Sequence, residues 1–368
     1  MRIIIHHWAS DDACLTQKNK SKADNRLVYI DYFRALAILL IILGHCYNAW
    51  PRSNIWEATL VNIISGGTAL FVFISGFFFH HVYFVKYHYW SFLKNKTKYV
   101  FLPYLILSLL YITYFYFSRD EIVMANVINE FYGPNLSNAD LVIINILTGR
   151  TLWAYWYVPF AMLLFMLSPI FIRFISLSLN TKLAVTCSLF ILSMFVQRPS
   201  WEINPIHSLV YYFPYYLFGI IYSTERVKIN QWIEGKTLLL FFITIIVALC
   251  MYLLGQKDSM GKSSILMWHG IDLMIVQKTS LIIFMIAFTM RIQQYDISFL
   301  KITANMSFAF FFLHQWALSF MRSTGMMDFK HGFEGVLLIF SAAVIFSYIV
   351  ARIVKLLLGS HSRYVIGW

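Results

Sequence analysis

Long apolar runs alternate along this chain with short polar connections, many of them basic. Apolar runs of about 15 to 25 residues have the length of membrane-crossing helices, and about ten of them can be marked: 29–50, 62–85, 99–118, 155–174, 183–196, 209–222, 237–254, 265–290, 302–321 and 332–358. The pattern predicts an all-α fold, a polytopic membrane helix bundle with both termini on one face. The eighth run is the weakest. Its first half carries His269, Asp272 and Lys278, so it is expected to begin as an interfacial or re-entrant piece, with the span proper starting near Ser280.

The first run, YIDYFRALAILLIILGHCYNAW, carries three groups that lipid does not tolerate: Asp31, Arg34 and His45. Asp31 and Arg34 are one helical turn apart. Eleven steps of roughly 100° bring His45 back to within about 20° of Arg34, some 16 Å further along the axis. Both therefore belong to one stripe, which must face a bundle interior or a wet cavity. Two readings fit: an interfacial Asp31–Arg34 ion pair with a structural His45, or a functional stripe. Cys46 points about 100° away from His45, which argues against a Cys–His nucleophilic pair.

Composition closes off a soluble reading: 60% of the 368 residues are hydrophobic, 12% are charged, and the mean hydropathy is +0.66. The net charge of +12 would suit a nucleic-acid partner if it were spread evenly. It is concentrated instead in alternate connections, such as the one holding Lys86, Lys94, Lys96 and Lys98. That is the positive-inside pattern; it predicts cytoplasmic ends and no nucleic-acid partner. Cys14, Cys46, Cys187 and Cys250 have no metal-ligand or paired spacing, so no metal is expected. An Asp-Asp pair stands where a signal peptide needs an apolar core, so residues 1–28 are expected to be a retained cytoplasmic tail. A transmembrane domain at 29–358 and a short cytoplasmic tail at 359–368 follow. The polar stretch 119–152 is a candidate external cap.

The Arg34, ten residues, His45 pattern, with Asp31 three positions before the arginine, resembles the mark of the acyltransferase-3 family of polytopic membrane O-acyltransferases. Five further segments resemble the family in order: FVFISGFFF with Ser75 and Gly76, FLKNKTKYVFLPYLI, LWAYWYVPFAMLLFMLSPIF, SLVYYFPYYLFGIIYS and SFAFFFLHQWALS with His314. The likeness is to the stand-alone form, without a fused extracytoplasmic domain. It implies a multi-pass protein of the bacterial cytoplasmic (inner) membrane. The implied activity moves an acetyl group from acetyl-CoA, a co-substrate with no bound cofactor, to a hydroxyl of a cell-envelope or exported polysaccharide or its lipid-linked precursor. The partners expected are an acyl-CoA donor, a glycan or lipid-linked glycan acceptor and membrane lipid; no oligomeric state is implied.

Carried onto these residues, the resemblance makes His45 the candidate general base or acyl carrier and Asp31 the group that orients Arg34. Arg34, Lys94, Lys96 and Lys98 become the candidate donor-phosphate site. The lysines stand where relatives often have arginines, which keeps charge but loses bidentate geometry; an ordinary basic loop explains them equally well. Trp153, Trp156, Tyr157 and His314 are candidate acceptor contacts, against readings as an aromatic belt and a structural histidine. Ser75 and Gly76 read first as helix packing. A polysaccharide or lipid-linked sugar translocator and a succinyl transferase are the alternatives.

Overall fold

The computed structural model describes residues 27–46, 50, 52–119, 121–258, 260–327 and 332–368. The expected N-terminal tail, Cys14 included, lies outside the described residues apart from its last two positions. Helix α1 (Val28–His45) is the first apolar run, and it closes where the Cys46 N–H bonds the Leu43 carbonyl. α2 (Ile55–Ile64) starts on an Asn54 cap whose side chain accepts from Trp56 and Glu57 N–H groups. After a break at Ser65 to Gly67 the chain resumes as α3 (Thr68–Phe78) and runs through a π turn and a 3-10 turn to Lys86. α4 (Tyr89–Lys96) leads through a π turn into α5 (Leu102–Arg119).

The stretch anticipated as a polar cap holds two short helices, α6 (Ala125–Tyr132) and α7 (Asn138–Thr148). A reciprocal Ser137–Asp140 capping box opens α7, and Gly149 in a left-handed conformation closes it. A bent pair follows, α8 (Tyr157–Met166) and α9 (Ser168–Ile175), then α10 (Leu179–Val196). α11 (Pro205–Thr224), α12 (Arg226–Ile233) and α13 (Thr237–Leu253) continue the bundle. The eighth run is irregular through its first part and helical only as α14 (Met274–Ile292), so Lys278 lies inside the helix and Asp272 outside it. α15 (Ser298–Asn305), α16 (Ser307–Ser323) and α17 (Gly332–Leu358) complete the large elements. Arg198–Pro199 (β1) pairs in parallel with Gly261–Lys262 (β2), the only strands among the described residues.

Among the described residues, six helical segments are long and apolar enough to cross a membrane, and two bent pairs raise the number to eight. The ten-span expectation also counts α11 and α16, which are 20 and 17 residues long and turn Tyr, His and Gln groups into the interior. Burial separates centre from rim. The spans built on α10 and α17 are 22% and 28% buried, whereas α1 is 56% and the α2–α3 span 67% buried, so the first lie against lipid and the second form the core.

Helices α3 and α11 approach backbone to backbone. A Cβ on Gly76 would collide with the Tyr216 carbonyl, and one on Gly219 with the Phe73 carbonyl. Gly76 therefore serves packing, the use small residues have where helices approach in a membrane. Residues 359–368 fold back on the bundle: α18 (Ser362–Val365) sets Tyr364 against Tyr99 at 5.6 Å between ring centres, and Ile366 is 1% exposed.

Candidate active site

His45 is the last residue of α1 and lines a cavity of about 420 Å³. The floor of this cavity is the break between α2 and α3, from Ser65 to Thr68. Its lining is aromatic, with Trp153, Trp156 and Trp201, and carries the charged groups of Arg198, Glu202 and Asp258. A narrower recess behind it holds His45 together with Trp156, Tyr157 and Phe311. Among the described residues the His45 imidazole makes no hydrogen bond, so its polar edge is left for whatever enters.

The structure also brings His314 here, its ring 5.4 Å from that of His45 between centres. The roles of its nitrogens follow from its partners: Nδ1 lies 2.8 Å from the Phe310 carbonyl and must donate, and Nε2 then accepts from the Gln315 amide at 2.8 Å. His314 is fully buried, has both nitrogens engaged and packs its ring against that of His45. Trp153 packs on Trp201 at 5.4 Å, and Trp156 stacks on Tyr212 at 5.6 Å. Tyr157 is held by the Ser75 hydroxyl at 3.2 Å. Gly149 makes this possible, because a Cβ there would overlap the Trp156 backbone.

The other end of the α1 stripe is built differently. Asp31 holds the Arg34 guanidinium at 3.3 Å, and the Phe78 ring lies 5.8 Å from it. Arg34 lines neither cavity that contains His45. Lys96 sits among the rings of Tyr83, Phe92 and Phe165 at 4.6 to 5.2 Å, Lys98 lies over Tyr99 and Tyr364, and Lys94 is exposed. Two of the three lysines thus place their ammonium groups on aromatic faces.

A family model described as an acyltransferase domain matches residues 27–352, nearly all of the helical bundle. The chain belongs to the acyltransferase-3 family. It is a membrane acyltransferase. No curated protein and no solved structure matches it.

Several residues around the His45 cavity of this acyltransferase escaped the sequence reading. Arg198 pairs with Glu202 at 3.1 Å, and Asp258 meets Arg52 at 3.7 Å. Trp201, Glu202 and Asp258 all have positive φ, a conformation costing about 1–3 kcal/mol for a non-glycine residue and concentrated where function fixes the backbone. The polar run QRPSWE between two apolar runs was the available signal. Lys278, expected in an interfacial or re-entrant piece, is instead buried within α14. Its Nζ, deep in the bundle, donates to the Asn62 and Ile63 carbonyls at 3.1 and 2.7 Å, satisfying the end of α2 where it breaks to form the cavity floor.

Proposed function

We propose that this acyltransferase moves an acetyl group from acetyl-CoA to a hydroxyl of a cell-envelope or exported polysaccharide, or of its lipid-linked precursor, in the bacterial cytoplasmic membrane. The observation that carries the reading is His45, its edge open, in a cavity lined by three tryptophans and by Arg198, Glu202 and Asp258. Sugars are bound by aromatic faces with a few charged groups at their edges. With the amino end of α1 on the cytoplasmic side, this cavity opens outward and Arg34 lies toward the cytoplasm.

In the proposed step His45 takes the proton of the acceptor hydroxyl as its oxygen attacks the thioester carbonyl. The carbon–sulfur bond then breaks, and the proton passes from the imidazolium to the departing thiolate. His314 fixes the His45 ring from the side. Arg34, oriented by Asp31, holds a phosphate of the donor, and the roughly 16 Å from there to His45 is within reach of a pantetheine arm. Lys94, Lys96 and Lys98 contribute positive potential at that face rather than direct contacts.

The test is transfer from radiolabelled acetyl-CoA to native membrane glycans by the full chain in lipid. Label in the glycan that disappears with His45→Ala supports the reading. Equal label with the variant refutes it, and glycan movement across the bilayer without acetyl-CoA binding replaces it with a translocator.

A further inference from the structure

A second chamber, of about 690 Å³, lies beside the His45 cavity and shares Trp153 with it. Three arginines line it. Arg119 ends α5 and Arg322 lies at the end of α16, both exposed at the mouth, while Arg150 stands at the back, 2% exposed, with its guanidinium 4.9 Å from the centre of the Trp153 ring. Among the described residues no carboxylate lines this chamber. Residues of α5, α16 and α17 line it, among them Tyr114, Phe320 and Phe346, apolar rings that are 55%, 60% and 37% exposed. Gln315 lines the chamber as well and holds His314, which packs on His45.

We propose that this chamber binds the phosphate-bearing head of a membrane lipid whose chain leaves between α5 and α17. Guanidinium groups pair with phosphate oxygens in a fork geometry, and basic pockets between membrane helices hold phosphorylated lipid heads. A free phosphate would need no apolar mouth; a lipid does. The lipid is a polyprenyl diphosphate carrying the acceptor sugar, so that the sugar crosses Trp153 to reach His45. That last identification rests on the proposed acetyl transfer, whereas recognition of the phosphate does not.

The experiment is binding of a long-chain polyprenyl diphosphate to the full chain in phosphatidylcholine nanodiscs, read by native mass spectrometry and by competition. Saturable binding is expected, weakened roughly tenfold or more by Arg150→Gln and by Arg322→Gln, as for loss of a charge-assisted pair. His45→Ala, which abolishes transfer, is expected to bind the lipid unchanged, so a failed transfer assay and a failed lipid site are told apart. Inorganic diphosphate should displace the lipid only at much higher concentration. Unchanged binding in both arginine variants overturns the proposal. Equal competition by phosphatidylglycerol overturns the carrier assignment, and displacement by CoA at lower concentration than by the lipid assigns the chamber to the donor.

Discussion

The two ends of α1 carry the same sequence stripe, yet the fold treats them differently. At the His45 end, residues distant in sequence converge: His314, Trp153, Trp156, Trp201 and the broken α2–α3 connection meet around one imidazole. At the Arg34 end the guanidinium is held by Asp31, one turn away, and the neighbouring lysines lie on aromatic rings or in the open. A reacting group needs its surroundings fixed to fractions of an ångström. A phosphate anchor tolerates looser placement, because charge acts over longer distances. The contrast is what a transferase that chooses its acceptor tightly and holds its donor by charge would show.

The sharpest way to break the contrast is at His45. Replacing it by alanine should lower transfer by at least about 10²–10⁴-fold, the worth of a general base, with the protein still inserted and monodisperse. A loss below tenfold would mean that the convergence serves packing. Next comes a backbone change that touches no reacting atom. Gly149 combines a φ of +73° with a close approach to Trp156, so Gly149→Ala must push the Arg150 to Tyr157 segment away. A displacement of about an ångström costs on the order of 10²-fold in turnover. Donor affinity, read as the KM for acetyl-CoA, should stay within about twofold if the two ends are as separate as they look.

How much of this was readable beforehand follows the same division. The stripe itself was visible, since Asp31, Arg34 and His45 are charged or polar residues in an apolar run, and helical periodicity alone aligns them. The apolar runs also fixed most helices. What periodicity could not supply was the meeting of α1 with α16 and with the loops. His314 was named as a candidate from its segment, but nothing local revealed that Phe310 and Gln315 occupy both its nitrogens. Glu202 and Asp258 have positive φ, and Arg198 lies in the short strand β1, none of which the local sequence signals. The surroundings of Lys96 and Lys98 were not readable for a simple reason: a charge in the sequence carries no sign of the aromatic ring it will lie on.

Two smaller predictions sharpen the inner end. Arg34→Lys keeps the charge and loses the fork, so the KM for acetyl-CoA should rise about tenfold while kcat falls far less. A kcat loss as large as that of His45→Ala would move Arg34 into the chemistry.

The smallest effects are expected from the lysines, and they separate contact from potential. Lys94 is exposed and Lys98 lies over Tyr99 and Tyr364, so neither is shaped to grip a phosphate. Lys94→Gln and Lys98→Gln should each raise the KM for acetyl-CoA by no more than about twofold at low salt, because screened surface charges contribute only weakly. The effect should vanish at about 1 M salt, where the Debye length falls to about 3 Å. A Lys98→Gln penalty that survives high salt would reveal a direct contact with the donor. Tyr364, stacked on Tyr99, would then have to release that lysine when the donor binds, and Tyr364→Ala should tighten donor binding rather than leave it unchanged.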